Sequence, residues 1–118
     1  MIPKFRAWFS SEMYDKPVVY NGEFYLDWRD FEDGRTYDGA VLMQSTGLFD
    51  KNGKEIFEGD VVKLKYTVLS DYEFFKVTRF RGGSWRIDNR QRGSELWLRN
   101  EDCEIIGNIY ENPELVEG

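Results

Sequence analysis

The sequence predicts a mainly β protein: a small antiparallel, partly closed β-barrel that ends in a short C-terminal helical turn. Three observations predict it. Asn21-Gly22 and Asn52-Gly53 are strong hairpin signals, because a type I′ turn needs two consecutive residues with positive φ. Apolar and polar residues alternate in short runs such as Lys4–Phe9 and Val61–Tyr66, the period of a half-buried strand. No long apolar pattern of period 3.6 occurs, so no central helix longer than about ten residues is expected.

Taken in order, Lys4–Phe9 is the first strand and Ser10-Ser11-Glu12 a turn. Met13-Tyr14 and Val18-Val19-Tyr20 return antiparallel, with Pro17 confining that return to an edge or a bulge. After Asn21-Gly22, residues 23–28 form another candidate strand, and residues 29–39 (RDFEDGRTYDG) read as an exposed, irregular loop. Ala40–Gln44 leads into the Asn52-Gly53 turn, and Glu58-Gly59-Asp60 reverses the chain into Val61–Tyr66. Tyr72–Phe80 and Ser84–Ile87 pair through Arg81-Gly82-Gly83. Asp88–Gly93 is a polar loop, Leu96-Trp97-Leu98 a short strand or helical turn, and Glu104–Tyr110 the last strand. Asn112-Pro113 has the form of a helix cap followed by proline at the first helical position.

Composition bounds the class. At 118 residues and 14.0 kDa, with 41% hydrophobic and 32% charged residues, residues 1–118 fit a single globular domain. Nine Phe, seven Tyr and four Trp are more rings than so small a core holds, so some face a partner, a second copy of the chain included. The net charge of −6 opposes a general affinity for nucleic-acid phosphates. A lone cysteine, Cys103, precludes an internal disulfide and fits a reducing cytoplasm. No apolar signal segment opens the chain, and no apolar run is long enough to span a membrane.

Chemistry is sparse. The absence of histidine removes the commonest general base and, with one cysteine, the zinc sites as well. Asp27, Asp30, Glu32, Asp33 and Asp38 crowd one loop, but a calcium-loop register on Gly34 would put Arg29 and Phe31 at ligand positions. The loop therefore reads as a solvated acidic surface, and no metal or other cofactor is expected. Catalytic carboxylates are the only enzymatic option left open, for example a pair such as Asp60 and Glu104, although Asp60 fits better as the holder of its own turn. Cys103 follows Glu101-Asp102, which disfavours a thiolate, and reads as a packed thiol. Gly82-Gly83 and Arg92-Gly93 sit in no phosphate-binding pattern.

The segment 76–99 stands apart. It holds seven positive charges against two negative ones, a local balance of +5 that leaves −11 on the rest of the chain. Arg79, Arg81, Trp85, Arg86 and Arg90 are its candidate binding surface. Three readings compete: the polar face of a β-meander, a contact with the acidic surface of a second subunit, and a single-stranded nucleic-acid platform. The acidic total puts nucleic acid last.

Three stretches, the opening Ile2–Trp8, the central Leu42–Val62 and the closing Glu104–Leu115, together resemble the YopX family. These are small proteins of phages and prophages, mostly in Gram-positive bacteria. Ser45 and Phe49 depart from the family's pattern, where an aromatic and a polar residue are usual. The resemblance implies a barrel-like β domain acting in the cytoplasm of the bacterial host and tending to self-associate. It implies no catalytic residue, so the expectation is a protein that is not an enzyme and binds a phage or host protein. Gly47, Gly53, Gly59 and Gly107 read as turn or backbone-geometry residues. Phe5, Trp8, Leu42, Leu48, Ile56, Val61, Ile106 and Ile109 read as core.

Overall fold

The computed structural model describes residues 4–80 and 83–116, so the candidate Arg81, its neighbour Gly82 and the opening Ile2-Pro3 lie outside the described residues. The fold is mainly β and antiparallel, as the turn signals predict. The chain divides into two compact units, Met1–Ser45 and Thr46–Gly118.

In the first unit, β1 (Phe5–Phe9) pairs with β2 (Glu12–Tyr14) across the two-residue turn Ser10-Ser11. Both serines take positive φ, 51° and 67°, the backbone of a type I′ turn. The Asn21-Gly22 signal is realised in the same way, with φ of 52° and 79°, and joins β3 (Val18–Tyr20) to β4 (Glu23–Tyr25). The expected loop at 29–39 is corrected at its start: Trp28–Asp33 is a helix, α1. Asp27 accepts from Asp30 N–H at 3.0 Å as its N-cap, and Gly34 closes it in the left-handed region. Six residues are too few to print a 3.6 period, which is why the pattern hid it. The next strand, β5 (Val41–Phe49), pairs through its first half with β1. Ala7 lies opposite Leu42 and Met43 opposite Arg6, so the buried Ala7 and Met43 occupy opposite faces of this sheet.

The second unit begins within β5, and β6 (Glu55–Phe57) neighbours its later half. β7 (Asp60–Lys65), β8 (Tyr72–Arg79), β9 (Trp85–Asp88) and β10 (Gly93–Glu95) form a meander, and β11 (Glu104–Asn108) returns beside β7. This five-stranded sheet curls into a half-barrel. Its concave side gathers Ile56, Val62, Leu64, Phe75, Val77, Ile87, Leu96 and Cys103, all within 1% of complete burial. Of the expected core, Ile56 and Val61 are fully buried, whereas Phe5, Trp8, Leu42, Leu48, Ile106 and Ile109 are half-buried.

Two further readings are corrected here. Asn52-Gly53 is not a type I′ turn, because only Gly53 takes positive φ (79°). Gly53 N–H donates to Asp50 O and Asp50 N–H to Lys54 O, so the loop is three residues with a left-handed glycine at its end. Asn112 does not cap the turn Pro113–Leu115 with its side chain; its Oδ1 accepts weakly from Asn108 N–H at 3.4 Å instead. The short C-terminal helical turn itself is present, in 3₁₀ form.

Candidate interaction surface

The basic segment resolves into two faces of one sheet. Side chains alternate along β8 and β9, and Val77 opposite Ile87 marks the core side. Arg79 stands opposite Trp85 on that same side, its guanidinium 5.7 Å from the ring centre, and Trp85 packs on the core cluster. Arg86 points the other way. It is 3.4 Å from both Asp88 and Glu95 and lies over the Phe80 ring. Arg90 is exposed in the β9–β10 loop. Thus Arg79 and Trp85 are brought together, while Arg86 and Arg90 are placed elsewhere.

Most of the segment's positive charge is used within the chain. Arg92 pairs with Glu73 at 3.5 Å, and Arg92 and Arg99 lie 4.9 and 4.6 Å from the centre of the Tyr66 ring. Arg99 also donates to Tyr66 O at 2.8 Å, and Tyr66 Oη donates to Gly93 O at 3.0 Å. These contacts tie the β7 end to β10. Lys76 and Arg90 make no ion pair among the described residues, and both line one groove of about 530 Å³. Glu73, Phe74, Asp88, Asn89, Gln91, Leu115 and Val116 complete its walls.

The candidate turns do structural work. Gly47, Gly53 and Gly59 take positive φ (76°, 79°, 87°). Gly59 is a junction: its N–H donates to Val77 O and its carbonyl accepts from Ile109 N–H, both at 2.9 Å. Gly107 is needed for space, since a Cβ there would press on the Asn112 side chain and come within 3.1 Å of Leu115. It sits at a register shift in β11.

The carboxylates follow the same pattern. Asp60, 1% exposed, accepts from Phe57 N–H at 2.8 Å and so holds its own turn, as expected. It stands opposite Asn108, whereas Glu104 stands opposite Lys63 and reaches Lys51 at 3.9 Å. Asp50 is a residue that sequence reasoning missed. Its Oδ1 accepts from Asn52 and Lys54 N–H and its Oδ2 from Ile105 N–H, all at 2.9 Å. Burial pushes this carboxyl up, but the N–H donors of Ile105, Lys54 and Asn52 outweigh it and hold the pKa below the usual value. The Asp-x-Asn-Gly spacing was its visible signal. Cys103 is fully buried, and desolvation with the nearby Asp50 charge pushes its thiol up to about 12.

The acidic loop is spoken for in part by local structure. Asp27 caps α1, Asp30 accepts from Tyr37 Oη at 2.9 Å, and Glu32 accepts from Trp28 Nε1. The hydrogen bond to Asp30 raises the Tyr37 pKa. Among the described residues no group of three or more Cys, Asp or Glu is arranged to hold a metal ion, and no helix is long and apolar enough to cross a membrane.

Comparison with known proteins agrees along nearly the whole length. Residues 4–117 match the family described as YopX protein. Protein EF1440 from Enterococcus faecalis is 28% identical, with a TM-score of 0.68 and coverage of 99% of each chain. Protein yopX from Bacillus subtilis is 20% identical, with a TM-score of 0.62 and coverage of 97% of this chain and 98% of that one. No curated protein matches the sequence.

Proposed function

The chain belongs to the YopX family, and from that premise we propose a phage- or prophage-encoded accessory protein that is not an enzyme. It acts in the host cytoplasm by binding protein partners and by associating with itself. The observation that carries this reading is the apolar surface left in water on the second unit. Val68, Leu69, Tyr72, Phe74 and Phe80 are 40% to 96% exposed along the β7–β8 hairpin and the end of β8. Trp97 and Leu98 add 64% and 55% on the turn after β10. Apolar groups in that number favour a protein contact over solvent. The family segments support it too, since they carry turn glycines and core positions rather than reacting groups.

Light scattering and sedimentation at micromolar and higher concentrations test it. An oligomer that persists as salt rises is expected, because an apolar contact is not weakened by screening. A clean monomer at those concentrations overturns self-association.

A nucleic-acid reading is favoured by one observation: the cations Lys76 and Arg90 flank the exposed Phe74. Tight, salt-sensitive binding of single-stranded DNA or RNA near physiological ionic strength would reverse the ranking.

A further inference from the structure

We propose that the turn joining β7 and β8 is a plug, received by the groove beside β8 of a second copy of this chain. The inference rests on the self-association reading and names its two contact surfaces. Thr67–Ser70 is an ordered turn: Ser70 N–H donates to Thr67 O at 3.2 Å and Thr67 N–H to Ser70 Oγ at 3.0 Å. The Ser70 hydroxyl donates back to Thr67 O, also at 3.0 Å. The turn holds Val68 and Leu69 at 92% and 96% exposure, the highest of the exposed large apolar residues described. Turn centres ordinarily carry Gly, Pro, Asn, Asp or Ser. An aliphatic pair held out by three hydrogen bonds is the surface of a contact. Asp71 follows at once, so the tip presents two aliphatic groups and then a carboxylate.

The groove is complementary on both counts. Phe74, Leu115 and Val116 give it apolar walls, and its volume of about 530 Å³ accommodates the two aliphatic side chains. Its two carboxylates are engaged within the chain, Glu73 with Arg92 and Asp88 with Arg86. Lys76 and Arg90 are left as its surplus charge and match Asp71. The plug does not occupy its own groove, since Val68 and Leu69 stand 92% and 96% exposed. β8 runs extended from Tyr72, which places Lys76 roughly 13 Å along the strand and away from the tip. The occupant is therefore another molecule's turn.

Two variants test it: Val68→Ser with Leu69→Ser, and Lys76→Glu with Arg90→Glu. None of these four side chains belongs to the core, so both proteins should melt within a few degrees of the parent. Each should associate roughly tenfold or more weakly than the parent by sedimentation. Mixed in equal amounts, they should form a one-to-one heterodimer, because an intact turn on one then meets an intact groove on the other. A turn variant that keeps the parent's mass overturns the proposal and leaves the self-association reading standing. A monomeric parent sinks both. Two variants that stay monomeric when mixed overturn the turn-in-groove geometry. Co-sedimentation of the parent with anionic vesicles, lost in the turn variant while mass is unchanged, would assign the turn to a lipid surface and overturn the proposal as well.

Discussion

In Thr46–Gly118, Phe75, Val62, Leu64, Val77, Ile87 and Ile56 meet in one fully buried cluster. In Met1–Ser45, beside the buried Ala7, Leu26 and Met43, three rings gather around Phe31: Tyr20, Tyr25 and Trp28 lie 5.6, 5.3 and 5.2 Å from it, centre to centre. All four rings keep some contact with solvent, and Trp28 is 60% exposed. Burial energy scales with area removed from water, so an aliphatic interior outweighs an equal number of half-wetted rings. The contrast teaches that the second unit is the cooperative core of the chain. The first is held by short strand pairs, three buried side chains, one capped helix and ring edges, and should open at lower cost.

The sharpest way to break this comparison is to empty the second core. Phe75→Ala removes its largest fully buried side chain and should cost about 3–5 kcal/mol. Thermal melting should fall by well over ten degrees on the scale of a domain this size. A fall of only a few degrees would mean that the cluster is not what holds the unit.

Asp50 comes next, because it joins the turn before β6 to β11 with a single carboxylate. Asp50→Ala leaves three N–H groups without their acceptor and should cost about 2–4 kcal/mol at neutral pH. The sign of the pH effect follows from the lowered pKa. The carboxylate's contribution is present above its unfolded pKa of about 4 and is lost as pH falls through the lower folded value. The parent should therefore lose stability as pH falls below about 4, and Asp50→Asn should flatten that slope. Denaturant midpoints measured across this window decide it. A variant with the parent's slope would remove Asp50 from the acid response.

A smaller, graded effect separates the two central glycines. Both hold positive φ, which costs a β-branched residue about 1–3 kcal/mol. At Gly53 a Cβ would meet nothing within 4 Å, so Gly53→Val should pay that backbone cost alone. Gly59 is buried and bonded on both sides, so Gly59→Val should cost more. Equal melting temperatures for the two variants would contradict the junction role of Gly59.

These effects also mark what the residues disclose before folding. Asn21-Gly22 names its hairpin outright, and the alternation in Val61–Tyr66 names a strand, because both signals are local. Asp50 is legible only as a turn residue; its third donor, Ile105, is 55 positions away. The basic segment shows the same limit. Its charges are plain in the sequence, but the pairing of Arg86 with Glu95 depends on the register of β9 with β10. Trp85 reads as exposed beside arginines, yet strand parity turns it to the core side. The groove could not be read at all, since it needs Leu115 and Val116 brought beside β8. Helix α1 was half visible: Asp27 and Gly34 frame it, but its acidic and aromatic residues resemble a loop.

The smallest effect tests the first unit directly. Phe31 is half-buried, and its ring contacts are tilted or edge-on, each worth about 0.5–1.5 kcal/mol beyond its area. Part of that is recovered by water in the variant, so Phe31→Ala should cost only about 1–2 kcal/mol in that region. The informative measurement is amide hydrogen exchange rather than a melt, because the loss should be local. Exchange should quicken by roughly tenfold in β3, β4 and α1, where Phe31 joins the hairpin to the helix. Amides of β7 and β8 should keep the parent's rates, since their protection follows the second core. Equal acceleration in both places would show that the chain opens as one cooperative whole and that the two means of holding it are not separable. Unchanged rates in β3 and β4 would show instead that their own type I′ turn, not the ring cluster, sets the stability of that hairpin.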